Sequence, residues 1–119
     1  MIGRPCVGSV KMSELNLSEE QLQAVSERFR VLSDPMRLRI LHQLQAGEKT
    51  VSELVEATGA SQPNVSKHLS ILRTAGLVNR RQCGNLAYFS IGAPFVFDLC
   101  AIVCEGIRQE FATKQAAFK

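Results

Sequence analysis

No apolar run in the 119 residues approaches the roughly 18–20 that a membrane span needs. The first dozen residues hold one arginine and no apolar core, so they do not read as a secretory signal, and the expected location is the cytoplasm. No C-x-x-C pair occurs among Cys6, Cys83, Cys100 and Cys104, and only two histidines exist, His42 and His68. Zinc-ribbon and zinc-finger spacings are thereby excluded, and a histidine-built metal centre is hard to assemble. In a reducing compartment four such cysteines are buried small hydrophobes, metal ligands or redox sensors, not a disulfide framework. Also missing are a glycine-rich phosphate loop, paired carboxylates in a plausible cleft and a nucleophile–histidine–acid set. An enzyme is therefore not expected; a thiol peroxidase using Cys100 or Cys104 is the version that strains the sequence least.

One further absence is informative. From Ser61 to Ile91 there is no aspartate or glutamate, while Lys67, Arg73, Arg80 and Arg81 all fall there. The whole chain carries only +3, so the rest of it is near neutral. A positive stretch on a near-neutral body is the footprint expected of a polyanion partner.

What is present reads as one ordinary domain, 45% hydrophobic and 21% charged, over residues 17–115, preceded by a flexible arm over 1–16. Ser18 followed by Gln21 is a capping-box pattern, and Leu22, Val25, Phe29 and Leu32 then recur at helical spacing. Ser33-Asp34-Pro35 ends that helix and starts a second, with Leu38, Leu41 and Leu44 inward, up to about Gly47. Thr50 or Ser52 caps a short third helix with Leu54, Val55 and Ala57 on its apolar side, closed by Gly59. Ser61 caps a fourth, with Pro63 in its first turn, Val65, Leu69, Leu72 and Ala75 inward, and Gly76 at its end. The period then changes: Leu77-Val78 and Leu86, Tyr88, Phe89 and Ile91 read as strands joined through Cys83-Gly84-Asn85. Pro94 opens a long last helix, about 94–114, with Phe95, Leu99, Ile102, Val103, Ile107 and Phe111 apolar.

The fold class expected is mostly α with a small β-hairpin, in the order of a winged helix-turn-helix. Burying Val65, Leu69 and Leu72 leaves Gln62, Asn64, Ser66, Lys67 and Ser70 outward. These residue types suit a helix laid in the DNA major groove: amides pair with adenine, lysine with guanine or phosphate, hydroxyls with either. Ser61 is a helix cap, a phosphate contact, or both. His68, at the edge of the buried face, is a DNA contact or a packing residue. Arg73, Arg80, Arg81 and Asn85 complete the candidate surface. The last-helix stripe is too wide for so small a domain to cover alone, which points to a second copy. A winged helix used as a protein-interaction module is the rival from another class.

Three segments together resemble the ArsR/SmtB-type repressors: Leu32-Ser33-Asp34-Pro35-Met36-Arg37-Leu38-Arg39-Ile40-Leu41, Ser61-Gln62-Pro63-Asn64-Val65-Ser66-Lys67-His68-Leu69, and Leu72-Arg73-Thr74-Ala75-Gly76-Leu77-Val78. The resemblance covers about residues 18–111. It implies a homodimer, formed through the first and last helices, that binds a palindromic operator in double-stranded DNA and lets go when an inducer binds. The inherited sensor sites it implies are not intact. The arsenic-type C-x-C positions are Thr50 and Ser52; the zinc-type last-helix positions read Asp98-Leu99-Cys100, then Phe111 and Lys114. A persulfide-type pair would need a cysteine where His42 stands.

What remains is Cys100 and Cys104, four residues apart and so on one side of the last helix. Soft thiolates select soft ions, and Cys6 on the arm is placed to supply a third for As(III) or Sb(III), or part of a site for a soft divalent metal. No obligatory cofactor is expected. The inducer expected is thus a thiophilic metalloid or metal such as As(III); the alternatives are an oxidation or persulfide switch at the same thiols, or simple packing in a regulator that needs no inducer.

Overall fold

A computed structural model describes residues 16–117, with side chains through Lys114. The arm expected over 1–16, all but Asn16, and with it Cys6, lies outside the described residues. The rest runs α1 (Glu19–Leu32), α2 (Pro35–Leu44), α3 (Val51–Thr58), α4 (Gln62–Thr74), β1 (Val78–Cys83), β2 (Leu86–Ile91) and α5 (Phe95–Ala117). Leu17–Ala93 forms one compact unit; the helix that follows Pro94 belongs to another.

Each helix of the compact unit starts where a side chain can satisfy its free amides. Ser18 and Gln21 make a reciprocal capping box on α1, with bonds of 2.9 and 3.1 Å. The Asp34 carboxylate accepts from the amides of Met36 and Arg37 at 2.8 and 3.2 Å, and Pro35 fills the first turn of α2. Thr50, not Ser52, caps α3 in a second box with Glu53. Ser61 caps α4 through the Asn64 amide.

Glycine-made endings are as specific. At the end of α4, Gly76 takes φ +78, Leu77 N–H bonds to Leu72 C=O at 2.9 Å, and Gly76 N–H bonds to Arg73 C=O. This six-to-one and five-to-two pair closes the helix while Leu72 and Leu77 both become buried. The chain leaves the helix already turned toward the hairpin.

The core is made by Ile40, Leu41, Leu44, Leu54, Val65, Leu69, Leu72, Leu77, Val78 and Phe89. Two expected inward residues are displaced. Leu38 is exposed and Ile40 is fully buried in its stead, because α2 turns its Ile40–Leu41–Leu44 edge inward. Ala57 is exposed, and Leu54 alone carries the burial of the short α3.

The hairpin is a two-stranded antiparallel ribbon with Val78 opposite Ile91, Arg80 opposite Phe89, Arg81 opposite Tyr88 and Cys83 opposite Leu86. Gly84 takes φ +61, the left-handed conformation that the first residue of a two-residue primed turn requires. Lys49 and Phe89 exchange two backbone bonds of 3.0 and 2.8 Å, tying the ribbon to the turn before α3.

The apolar faces of α1 and α5 are a separate matter. On α1, Leu22, Val25 and Phe29 are exposed, Phe29 by 54%. On α5, Phe95, Ile102, Val103, Ile107 and Phe111 are exposed, Phe111 by 61%. In a single chain both stripes stand in water. No helix among the described residues is long and apolar enough to cross a membrane.

Candidate nucleic-acid interface

The helix-turn-helix is α3, the turn Gly59-Ala60-Ser61, and α4. Gly59 supplies the left-handed end of α3 at φ +77, and two residues later the Ser61 hydroxyl has already begun the next helix. Burial of Val65, Leu69 and Leu72 fixes the rotation of α4. Gln62, Ser66, Lys67, Ser70 and Arg73 then stand exposed, and Asn64 is half-buried.

His68 departs from the outward set. It is 7% exposed, its Nδ1 has no hydrogen-bond partner, and its charge helps to lower the Asp34 carboxyl. One residue on from Lys67, the helix has rotated it into the core beside the α2 cap, so it is a packing residue and not part of the outward face.

Arg80 lies on the same face of the ribbon as Phe89. It lines a cleft of about 380 Å³ together with Ser66, Ser70, Arg73 and Thr74 of α4. Leu69 and Phe89 also line it, and Val51 closes its α3 end. Two guanidinium groups and three hydroxyls thus share one concave surface, with no acid among them. The Arg80 Nη2 donates to Gln82 Oε1 at 2.7 Å, and Gln82 in turn donates to the Gly84 carbonyl.

Arg81 does not join that surface. Its Nε and Nη2 donate to the two carboxylate oxygens of Glu48 at 3.0 and 2.9 Å, and its guanidinium sits 5.0 Å from the centroid of the Tyr88 ring. The hydrogen bonds from Arg81 hold the Glu48 carboxyl below its ordinary pKa, against a smaller opposing effect of desolvation. The same bonds raise Arg81. By sequence Arg81 groups with Arg80, because no acid stands near it; Glu48, thirty-three positions earlier, meets it only once the chain has folded. Asn85 stands exposed at the hairpin tip.

Cys83, Cys100 and Cys104 are free and exposed. Among the described residues no group of three or more His, Cys, Asp or Glu side chains is placed to hold a metal ion. Cys100 and Cys104 therefore amount to two thiol donors one helical turn apart.

This arrangement defines a winged helix-turn-helix. A family model described as "Bacterial regulatory protein, arsR family" matches residues 34–80. The HTH-type transcriptional regulator Rv0081 of Mycobacterium tuberculosis is 37% identical over 103 residues, covering 86% of this chain and 90% of that protein. Its crystal structure aligns with a TM-score of 0.71 at 32% identity, covering 82% of this chain and 98% of that one. The chain belongs to the ArsR/SmtB-type family of transcriptional repressors. A protein of Streptomyces lividans described as "Probable mercury resistance operon repressor" is 48% identical over 71 residues, 60% of this chain; the match spans 57% of that relative's length. The homodimeric winged helix-turn-helix DNA-binding domain of Mb0332 from Mycobacterium bovis aligns with a TM-score of 0.68 at 29% identity, covering 81% of this chain and 92% of that one.

Proposed function

We propose that the protein is a homodimeric repressor that lays the first turns of α4 in the major groove of an operator with inverted-repeat symmetry. A thiophilic metal or metalloid ion at Cys100 and Cys104 releases it. The observation that carries the DNA reading is the division of α4: Gln62, Ser66, Lys67 and Ser70 exposed on one side, Val65, Leu69 and Leu72 buried on the other. Gln62 and Ser66 are the base-reading groups, with Asn64 partly withdrawn. Lys67, Arg73 and Arg80 serve phosphates, and Ser61, Ser70 and Asn85 lie where backbone oxygens would pass.

Dimerisation is supported by the uncovered apolar stripes of α1 and α5 and by the homodimeric state of the Mycobacterium bovis domain. Two recognition helices on one twofold axis must meet successive major grooves, about 34 Å apart. An effector that alters the packing of the last helices alters that distance. A coupling of about 1–3 kcal/mol suffices for a 5–150-fold loss of operator affinity.

The inducer class rests on chemistry and on one relative. Exposed thiols one turn apart suit a soft ion such as As(III), Sb(III) or Hg(II), and the Streptomyces lividans relative is described as a mercury resistance repressor. Further donors would come from Cys6 or from the partner copy. Oxidation or persulfidation of the same thiols is the second reading, favoured by their exposure.

The test is a fluorescence anisotropy titration of reduced protein on candidate operator duplexes, with As(III), Hg(II), Cd(II), Zn(II), peroxide and polysulfide added in turn. Release by soft ions alone, lost in Cys100→Ser and Cys104→Ser, is the expected result. Release by peroxide or polysulfide alone selects the redox reading, and release by none makes the thiols packing residues.

A further inference from the structure

The interface gives Arg80 a task and leaves Glu48 and Arg81 without one. Glu48 stands in the turn between α2 and α3, on the helical body, and Arg81 stands on β1 of the hairpin. Their two parallel hydrogen bonds form a fork, the geometry in which arginine and carboxylate fix each other's orientation as well as their distance. The adjacent residue, Lys49, makes the two-bond backbone bridge to Phe89. An isolated two-stranded ribbon is marginally stable in water; burial of Val78 and Phe89 seats its base in the core, and these two polar attachments add to that seating. The bridge pins one point of β2. The fork pins a second point, on the ribbon face opposite Arg80, and so resists rotation of the ribbon about the bridge. Because strand side chains alternate, holding Arg81 to one face holds Arg80 to the other, where the cleft and Arg73 are.

We propose that Glu48 is a positioning residue for duplex binding: by forking Arg81 it holds the wing so that Arg80 faces the cleft beside Arg73. This rests on the reading that the cleft receives a DNA backbone. Glu48 itself touches no nucleic acid, since its carboxylate would repel a phosphate. A simpler role, in which Glu48 only neutralises an Arg81 that would otherwise bind phosphate, predicts effects of opposite sign. Exposed ion pairs add little to global stability, so a loss of binding in these variants would not be a loss of fold.

The full-length protein is assayed for duplex binding across a salt series as wild type, Glu48→Gln, Arg81→Lys, Arg80→Ala and the Glu48→Gln/Arg80→Ala double variant, with thermal melts of each. Arg81→Lys keeps the charge and loses the fork. Positioning predicts that Glu48→Gln and Arg81→Lys each weaken binding about three- to ten-fold while melting close to wild type. It also predicts that Glu48→Gln costs nothing further once Arg80 is alanine. Tighter or unchanged binding by Glu48→Gln, wild-type binding by Arg81→Lys, or an undiminished Glu48→Gln loss in the Arg80→Ala background overturns the proposal alone. Absence of salt-dependent duplex binding by the wild type overturns the interface reading and this proposal together.

Discussion

Arg80 and Arg81 are neighbours in the chain and face opposite sides of the wing: Arg80 shares the Phe89 face and the cleft, Arg81 shares the Tyr88 face and the Glu48 carboxylate. Arg80 is therefore the wing's cation on the cleft side. Arg80→Ala is expected to weaken binding to all duplexes alike and to reduce the slope of log affinity against log salt by about 1.8 for the dimer, as neutralising one phosphate fewer in each half-site requires. Anisotropy at four or five salt concentrations measures it. An unchanged slope would take the wing out of the interface.

On α4 the expected effects split by chemistry. Gln62→Ala and Ser66→Ala remove the groups proposed to read base edges, and each is expected to lose about 1–3 kcal/mol of discrimination at one or two base pairs. Lys67→Ala should weaken every sequence about equally. Competition with duplexes substituted one base pair at a time separates the two behaviours.

The helical frame and the hairpin are legible in the sequence because their signals are local. Ser18 with Gln21, Asp34 before Pro35, Gly59 and Gly76 each satisfy or release backbone groups within a few residues, and the structure uses every one of them. What escapes such reading depends on folded neighbours. His68 and Lys67 are adjacent polar residues, and only the rotation of α4 against α2 decides that one is buried and the other exposed. Leu38 and Ile40 are equally apolar, so periodicity cannot say which edge of α2 faces the core. Glu48 carries no motif at all; its fork with Arg81 forms only when the turn before α3 and strand β1 come together.

Two carboxylates are held below their ordinary values in the folded state. Partial desolvation pushes the Asp34 carboxyl up, but the amide bonds from Arg37 and Met36, with the charges of His68 and Arg37, outweigh it and leave the group below its ordinary value. Glu48 is lowered chiefly by its hydrogen bonds from Arg81. Groups depressed in the folded state stabilise it while ionised, and that stabilisation is lost as pH falls through their folded-state values. Thermal melts should be flat from neutral pH to about 5 and then decline below about 4, where unfolded carboxyls take up protons first. Asp34→Asn should flatten the acid limb, whereas Glu48→Gln, which removes an exposed ion pair, should change it little; a decline as steep as wild type in Asp34→Asn would assign acid sensitivity to other groups.

The uncovered stripe of α5 bears on every other expectation, because in the proposed complex one recognition helix reads only half of a twofold operator. Ile107 is 47% exposed and Val103 54%, a pair one turn apart with Phe111 on the same side one turn further on. Apolar surface of this kind contributes roughly 25 cal/mol for each Å² removed from water, and a twofold interface uses every residue of the stripe in both copies. A glutamate at position 107 would have to be buried without a partner or keep the two helices apart. Ile107→Glu is expected to sediment as a monomer at concentrations where the wild type is a dimer, while the helix-turn-helix unit, whose core lies in Leu17–Ala93, keeps its helical signal. With the two modules unlinked, operator affinity should fall by about 10²–10⁴, the advantage of joining two binding events. Binding to an isolated half-site should change little. A dimeric Ile107→Glu with wild-type operator affinity would show that α5 is not the dimer seam, and would move the search for it to Leu22, Val25 and Phe29 of α1.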